Sequence, residues 1–326
     1  MTGDLNFARF EARIRFTSDA SLPLWAGNAL RSGFGARLKE MVCINQSAAI
    51  ASGSEGACAS CLNRESCAYY RFYNAQQPED ARVLRKQADI SRPFVIDPPA
   101  FGKYGIGEGA VLGFTLFEEG AKFLPYFILG LRNLGESGLG KGYRDGLGRY
   151  DLEMIDSLGL DKRENVFFGD TVFNRAISIS YREILGRSEE FSGKIRLRFK
   201  TPTQIKENDQ FTARPSFRGL LSRLLFRANA LAEFHGTGML YDQEETLSIL
   251  GPCREVKISS ARTRELRQKR YFHDQGKASW LPPFFTGDLI YEGEFSREVM
   301  ALLRLGEAIH VGKMATFGNG RYEVMK

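Results

Sequence analysis

Apolar and polar residues alternate in two short stretches of the 326-residue chain, Ala12–Phe16 (ARIRF) and Ile195–Phe199 (IRLRF). Alternation sends arginines to one face and aliphatic or aromatic side chains to the other, which predicts β-strands with one buried face. After each stretch the period lengthens to that of a helix. In Gly27–Met41 (GNALRSGFGARLKEM), Leu30, Phe34, Leu38 and Met41 fall on one stripe. In residues 215–234 (PSFRGLLSRLLFRANALAEF), Phe217, Leu220, Leu221, Leu224, Leu225, Ala228 and Leu231 do the same, with Pro215 at the N-terminal edge, where its missing N–H costs nothing. Each half then holds a second helical stripe. Ser296 can cap the one that carries Val299, Met300 and Leu303. The other contains Pro125, which predicts a kink or a late start.

Both halves therefore order as strand, helix, one or two strands, helix, loop and strand. That is the βαββαβ ferredoxin-like (RRM-like) pattern, an antiparallel sheet with helices on one face. The expected fold class is α+β, with tandem duplicated ferredoxin-like domains at residues 1–188 and 189–326. The boundary is set in the polar, glycine-bearing stretch around Arg187–Gly193.

Each half closes on the same phrase. GKGYRDGLGRYDLEM (Gly140–Met154) and GKMATFGNGRYEVM (Gly312–Met325) both read GK, four residues, G, one residue, GRY, an acid and an aliphatic, 172 residues apart. Glycines at such spacing admit positive φ and close backbone approach, and their amides can form a nest for phosphate oxygens. Lys141, Arg149, Lys313 and Arg321 add cations. A tight turn between a helix and the last strand accounts for the glycines equally well. A nucleotide P-loop fits poorly, because here Lys follows the first Gly rather than the second.

Composition narrows the setting. Hydrophobic residues make up 43% and charged residues 26%, ordinary for a soluble globular protein. No apolar run nears the roughly 20 residues of a membrane helix, and the N-terminus shows no apolar signal segment, so a cytoplasmic protein is expected. The net charge of +6 suits an anionic partner without specifying one. The charge is concentrated between Arg254 and Lys277, where eight Lys or Arg stand against three acids, followed by Tyr271, Phe272 and His273 near the end. Clustered cations bind a phosphate backbone and aromatics stack unpaired bases, which makes Arg262, Arg264, Arg267, Lys269 and Arg270 candidate RNA contacts. A solvated hairpin is the plain alternative.

Cys43, Cys58, Cys61 and Cys67 follow the spacing C-x14-C-x2-C-x5-C. A CxxC pair with two more cysteines nearby suits tetrahedral thiolate coordination, with structural zinc first and an iron–sulfur cluster as the alternative; disulfides are disfavoured in the expected compartment. Cys253 stands apart and reads as a buried thiol.

The segment GEAIHVGKMATFGNGRYEV resembles the glycine-rich loop of the RAMP superfamily. Within it the chain is most similar to the CRISPR-associated endoribonucleases that process precursor CRISPR RNA. The likeness extends in order through LPLWAGNALRSGFGARLKEMVC, the cysteine segment, KIRLRFKTPTQI and RPSFRGLLSRLL. It implies two ferredoxin-like domains and repeat RNA as partner, with Gly312, Lys313, Gly318, Gly320 and Arg321 holding it. It also implies cleavage without a catalytic metal: a ribose 2′-hydroxyl attacks the adjacent phosphate, leaving 2′,3′-cyclic phosphate and 5′-hydroxyl ends, with an acid, a base and a cation in attendance. Many relatives place a catalytic histidine in or just after the first helix of domain one, and this chain has none there. His273 with Tyr271 is the expected catalytic pair, followed by His235 and then His310. The alternative is an RNA-binding subunit of a CRISPR effector complex that does not cut.

Overall fold

The computed structural model describes residues 3–45, 58, 60–77, 90–117, 120–272 and 277–326. It divides into two compact units, Leu5–Ser180 with Glu233–Gly236, and Tyr181–Ala232 with Thr237–Lys326 and the chain's first residues. The linker read near Arg187–Gly193 lies inside the second unit. Helix Tyr181–Arg187 already packs there, where the Arg297 guanidinium donates to the Leu185 carbonyl at 2.9 Å.

In the first unit, strands β1 (Asn6–Phe16), β2 (Ala20–Leu22), β3 (Phe94–Asp97), β4 (Gly102–Tyr104), β5 (Gly109–Phe117), β6 (Tyr150–Leu158), β7 (Arg163–Phe168), β8 (Thr171–Val172) and β9 (Ile179–Ser180) accompany helices α1 (Ala26–Val42) and α2 (Gly120–Ser137). The main sheet runs β3-β5-β1-β6-β7-β8, with β9 also on β1. Its pairings are antiparallel. Alternation in β1 works as predicted: Phe10, Ala12, Ile14 and Phe16 are buried, with Arg13 and Arg15 on the solvent face. Leu30, Phe34 and Leu38 of α1 and Phe127, Leu131 and Leu134 of α2 complete one core with them. Met41 is only half-buried, near the end of its helix. Pro125 sits in the second turn of α2 and neither delays nor ends the helix.

The second unit holds α3 (Tyr181–Arg187), β10 (Phe191–Thr203), β11 (Ile205–Glu207), β12 (Gln210–Thr212), α4 (Phe217–His235), α5 (Gln243–Leu250), β13 (Lys257–Leu266), β14 (Lys269–Phe272), β15 (Lys277–Trp280), β16 (Phe284–Phe295), α6 (Arg297–Ile309) and β17 (Tyr322–Met325). Its main sheet runs β13-β16-β10-β17, again antiparallel. Numbering the four βαββαβ strands in chain order, both sheets contain the order 2-3-1-4. Ser296 caps α6 as expected, its hydroxyl accepting from the Val299 amide at 3.3 Å. Two hairpins lie outside the main sheet. The first, β11–β12, turns through Asn208 and Asp209, both at positive φ (46° and 62°), residue types that tolerate the left-handed region of a tight two-residue turn. The second is β14–β15.

Candidate nucleic-acid interface

The loop between α6 and β17 is built by backbone contact. The Lys313 amide donates to the Gln204 carbonyl at 3.1 Å, Gly320 to Pro202 at 3.1 Å, and Val311 to Gly320 at 3.1 Å. The Arg321 amide donates to the Thr201 hydroxyl at 3.0 Å, and that hydroxyl donates to the Gly318 carbonyl at 2.6 Å. Gly312 (φ 87°) and Gly320 (φ 76°) are required by space as well as by conformation. A Cβ would stand 2.4 Å from the Gln204 carbonyl oxygen in one case and 1.9 Å from that of Val311 in the other. The amides of Lys313, Phe317, Gly318, Gly320 and Arg321 are therefore engaged within the fold, and the nest expected to turn them to phosphate does not form from these groups. What the loop presents is side chain. Lys313 holds its ammonium 5.2 Å from the centre of the Phe211 ring, and Arg321 is half-buried immediately before β17.

This loop meets the end of the sheet where β10 and β13 finish and β16 begins, since Thr203 pairs with Phe285 and Leu266 with Phe284. Arg262 lies opposite Asp288, which lies opposite Arg198, which lies opposite Glu323. Asp288 is taken by Arg198 (Nε to Oδ1, 3.1 Å), and Glu323 stands 3.4 Å from Lys200. Arg262 and Arg264 form no ion pair among the described residues and are exposed on β13. Arg267 stands 3.5 Å from Glu265, and Lys269 opens the hairpin that follows. Of Arg270 and Tyr271 the backbone alone is described, as part of β14. The opposite end of the same unit is acidic: a cleft of about 650 Å³ is lined by Asp242, Glu244, Glu245, Glu294 and Glu298. Such polarity would direct a polyanion to the end that carries the loop and the hairpin.

The three histidines fall differently. His273 lies outside the described residues. His310 is fully buried as the residue that ends α6, at φ 60°, with Nδ1 3.1 Å from the Asn319 carbonyl, so that nitrogen donates. His235, 5% exposed, bonds the Ser91 carbonyl through Nε2. Buried rings spent on backbone carbonyls hold chain segments together, and neither is presented to a ligand on the surface. Arg227 does similar work at the end of α6: its Nε donates to the Ile309 carbonyl at 2.7 Å, and burial lowers the guanidinium to about 10.

In the first unit Cys43, Cys58, Cys61 and Cys67 line one cavity of about 350 Å³. The Cys61 amide donates to the Cys58 carbonyl at 3.3 Å and the Arg64 amide to the Cys61 carbonyl at 3.1 Å. The Asn45 side-chain amide points to the Cys61 sulfur at 3.5 Å. The donor set has the chemistry of a thiolate site, yet among the described residues no three such groups stand together as metal ligands. Cys253, by contrast, is buried and its thiol is pushed up to about 11 by that burial.

Gln204 was not anticipated. It is 4% exposed, its carbonyl accepts from Lys313, and its side-chain amide donates to the Pro282 carbonyl at 2.8 Å. The available signal was the lone amide side chain in the stretch TPTQI that follows the alternating strand.

Comparison with known proteins places these features in a family. Residues 197–322 match the family model described as the CRISPR-associated endoribonuclease Cas6, and residues 5–178, more than half of the chain, match the AF_1859_N N-terminal domain family. An uncharacterised protein of Archaeoglobus fulgidus is 29% identical over 332 residues, covering 99% of each chain. Thermus thermophilus Cas6 superposes with a TM-score of 0.54 at 17% identity, over 98% of this chain and 99% of that one. A Cas6 product complex gives 0.54 at 16%, over 98% and 100%. A partial complex of Cas6–RT–Cas1 with Cas2 gives 0.56 at 12%, over 98% and 46%. These structures share the fold; the family models carry the assignment, for the chain belongs to the AF_1859_N family through its first half and carries a domain of the Cas6 family in its second, which makes it a CRISPR-associated, Cas6-like RAMP protein.

Proposed function

We propose that this protein binds CRISPR repeat RNA and cleaves precursor CRISPR RNA by 2′-hydroxyl attack without a catalytic metal. The observation that carries the reading is the convergence of Lys313, Arg321, Arg264, Arg267 and Lys269 at one end of the second sheet, in a chain of the Cas6-like family. A phosphate track there would be read by side chains, since the loop amides are engaged. His273 and Tyr271, in and beside the hairpin segment, are the candidates for proton transfer. The burial of His235 and His310 weighs in favour of His273. The two units read as copies of one ancestral domain, which accounts for the repeated strand order and the repeated phrase. The four cysteines would hold a structural zinc, with an iron–sulfur cluster as the alternative, tying down the segment after α1. The product would be retained or passed to other CRISPR proteins in the cytoplasm.

The test is cleavage of labelled repeat RNA in chelator, beside a copy with 2′-deoxy at the scissile position. Cutting of the first to 2′,3′-cyclic phosphate ends, and protection of the second, is the expected result. Products with 3′-hydroxyl ends would overturn the mechanism. Tight binding with no cutting would make the protein an RNA-holding subunit, the reading favoured by the absence of histidine from α1.

A further inference from the structure

We propose that Trp280 is a stacking platform for an unpaired base of the bound RNA; the inference rests on the RNA reading above and names the strand type that this site takes. Trp280 is 62% exposed at the end of β15, although indole is among the side chains that gain most from burial. It pairs across the hairpin with Lys269, whose ammonium lies 4.7 Å from the ring centre. With the ammonium over one face of the ring, the other face is left for a base, and the cation stands close to where the adjoining phosphate would lie. The ring stacks any base and the ammonium meets the adjoining phosphate. Inside a duplex both faces of every base are already stacked, so the platform favours single-stranded RNA.

The platform is fixed in place. Immediately after Trp280 the Leu281 amide donates to the Gln268 carbonyl at 2.8 Å, closing the hairpin base. Pro282, the next residue, accepts the Gln204 side-chain amide at 2.8 Å, while the Gln204 carbonyl accepts the Lys313 amide at 3.1 Å. One buried glutamine thereby bonds both the hairpin base and the glycine loop, so Trp280, Lys269 and Lys313 belong to one surface of the second unit. Gln204 acts as a positioning residue for that surface.

The experiment uses the full chain carrying Trp25→Phe, which leaves Trp280 as the single tryptophan. An unstructured single-stranded decanucleotide RNA and a blunt duplex RNA are each titrated, following indole emission and, separately, filter binding. The expected result is saturable quenching by the single strand with the same Kd as filter binding. Trp280→Ala should weaken single-strand binding roughly tenfold, the order of one base–aromatic stack, and Trp280→Phe should largely restore it. Duplex affinity should be unchanged by Trp280→Ala. Single-strand binding with unaltered emission, or equal affinity in Trp280→Ala, overturns the platform while leaving the RNA reading intact. That result would leave the exposed indole to a protein partner. Absence of binding to either RNA overturns both.

Discussion

The glycine loop of the first unit and that of the second are the same object in backbone and different objects in side chain. Lys141 donates to the Ser21 carbonyl at 3.0 Å where Lys313 uses Gln204, and Gly148 donates to Asp19 at 2.9 Å where Gly320 uses Pro202. Leu139 donates to Gly148 at 2.8 Å, as Val311 does to Gly320. The Arg149 amide donates to the Ser18 hydroxyl at 2.9 Å, as Arg321 does to Thr201. Even the tyrosine of each GRY returns to the preceding helix, Tyr150 to the Leu131 carbonyl at 2.9 Å and Tyr322 to Leu303 at 2.8 Å. The first loop nevertheless leaves Tyr143 and Leu147 exposed, whereas the second buries Ala315 and Asn319. The edge strands differ too, β3 carrying Asp97 and no cation where β13 carries Arg262 and Arg264. Glycine spacing thus reports a fold device, and function has to be sought in the side chains that each loop carries.

The comparison breaks most sharply at the third glycine of the phrase. In Gly320→Val the new Cβ meets the Val311 carbonyl oxygen at 1.9 Å, and in Gly148→Val it meets that of Leu139 at 2.1 Å, both at positive φ. Each should cost its own unit about 4 kcal/mol or more, the range of strained backbone plus steric overlap. Chemical denaturation followed by near-ultraviolet circular dichroism would show it. Tolerance of one change and not the other would mean that the shared bonds are not what hold the loops.

His310 occupies the position of Gly138, and both have positive φ (60° and 92°). His310→Ala removes the bond to the Asn319 carbonyl and leaves a cavity, for a loss of about 2–4 kcal/mol. His310→Gly loses the same contacts but relieves a backbone conformation worth on the order of 1–3 kcal/mol, so it should be the milder change. If the two variants melt in the reverse order, the left-handed backbone is not a burden. If a folded His310→Gly protein loses repeat cleavage while retaining affinity, the ring has a chemical role that its burial argues against.

A smaller effect is expected on β13. Arg264→Ala should weaken RNA binding uniformly across sequences and reduce the slope of log Kd against log salt by about 0.7–0.9, one phosphate contact. Arg13→Ala, on the solvent face of the first sheet, serves as the control. A slope that falls equally for both would spread the RNA over both sheets. Metal content sharpens the contrast between the units in another way. Plasma emission should find one zinc per chain, lost in Cys58→Ser, and iron in its place would establish the cluster.

Much of this architecture was legible because it is written in periodicity. The stripe Leu30, Phe34, Leu38 and the alternation at Ile195–Phe199 each obey one rule that burial enforces locally. The strand Phe94–Asp97 was not, since four residues of FVID buried in a sheet carry no alternation to read. Nor were β7 and β8, which extend the first sheet beyond the repeated pattern. The site was legible as chemistry and illegible as geometry. Basic residues announce a phosphate partner, but that the loop amides point inward, that His310 has no exposed surface, and that Gln204 reaches Pro282 all depend on tertiary contacts.

The gentlest change discriminates best between the two loops. Gly146 and Gly318 hold the same φ, 81°, each ending the short helical turn of its loop. At Gly146 an added Cβ has its nearest neighbour at 3.8 Å, the Arg149 guanidinium, so the penalty there is conformational rather than steric. Valine at Gly146 should therefore cost a modest amount of stability, about 1–2 kcal/mol, and at the buried Gly318 at least as much. Affinity for repeat RNA should not follow suit. Gly318→Val distorts the loop that carries Lys313 and borders the hairpin, and should weaken binding several-fold. Gly146→Val distorts a loop whose counterpart of Gln204 is Ser21, on a strand that among the described residues pairs with Gly102–Tyr104 alone, and should leave affinity within about twofold. Equal losses, or a larger one at Gly146, would give the first loop a share in RNA binding that its exposed Tyr143 and Leu147 would then have to explain.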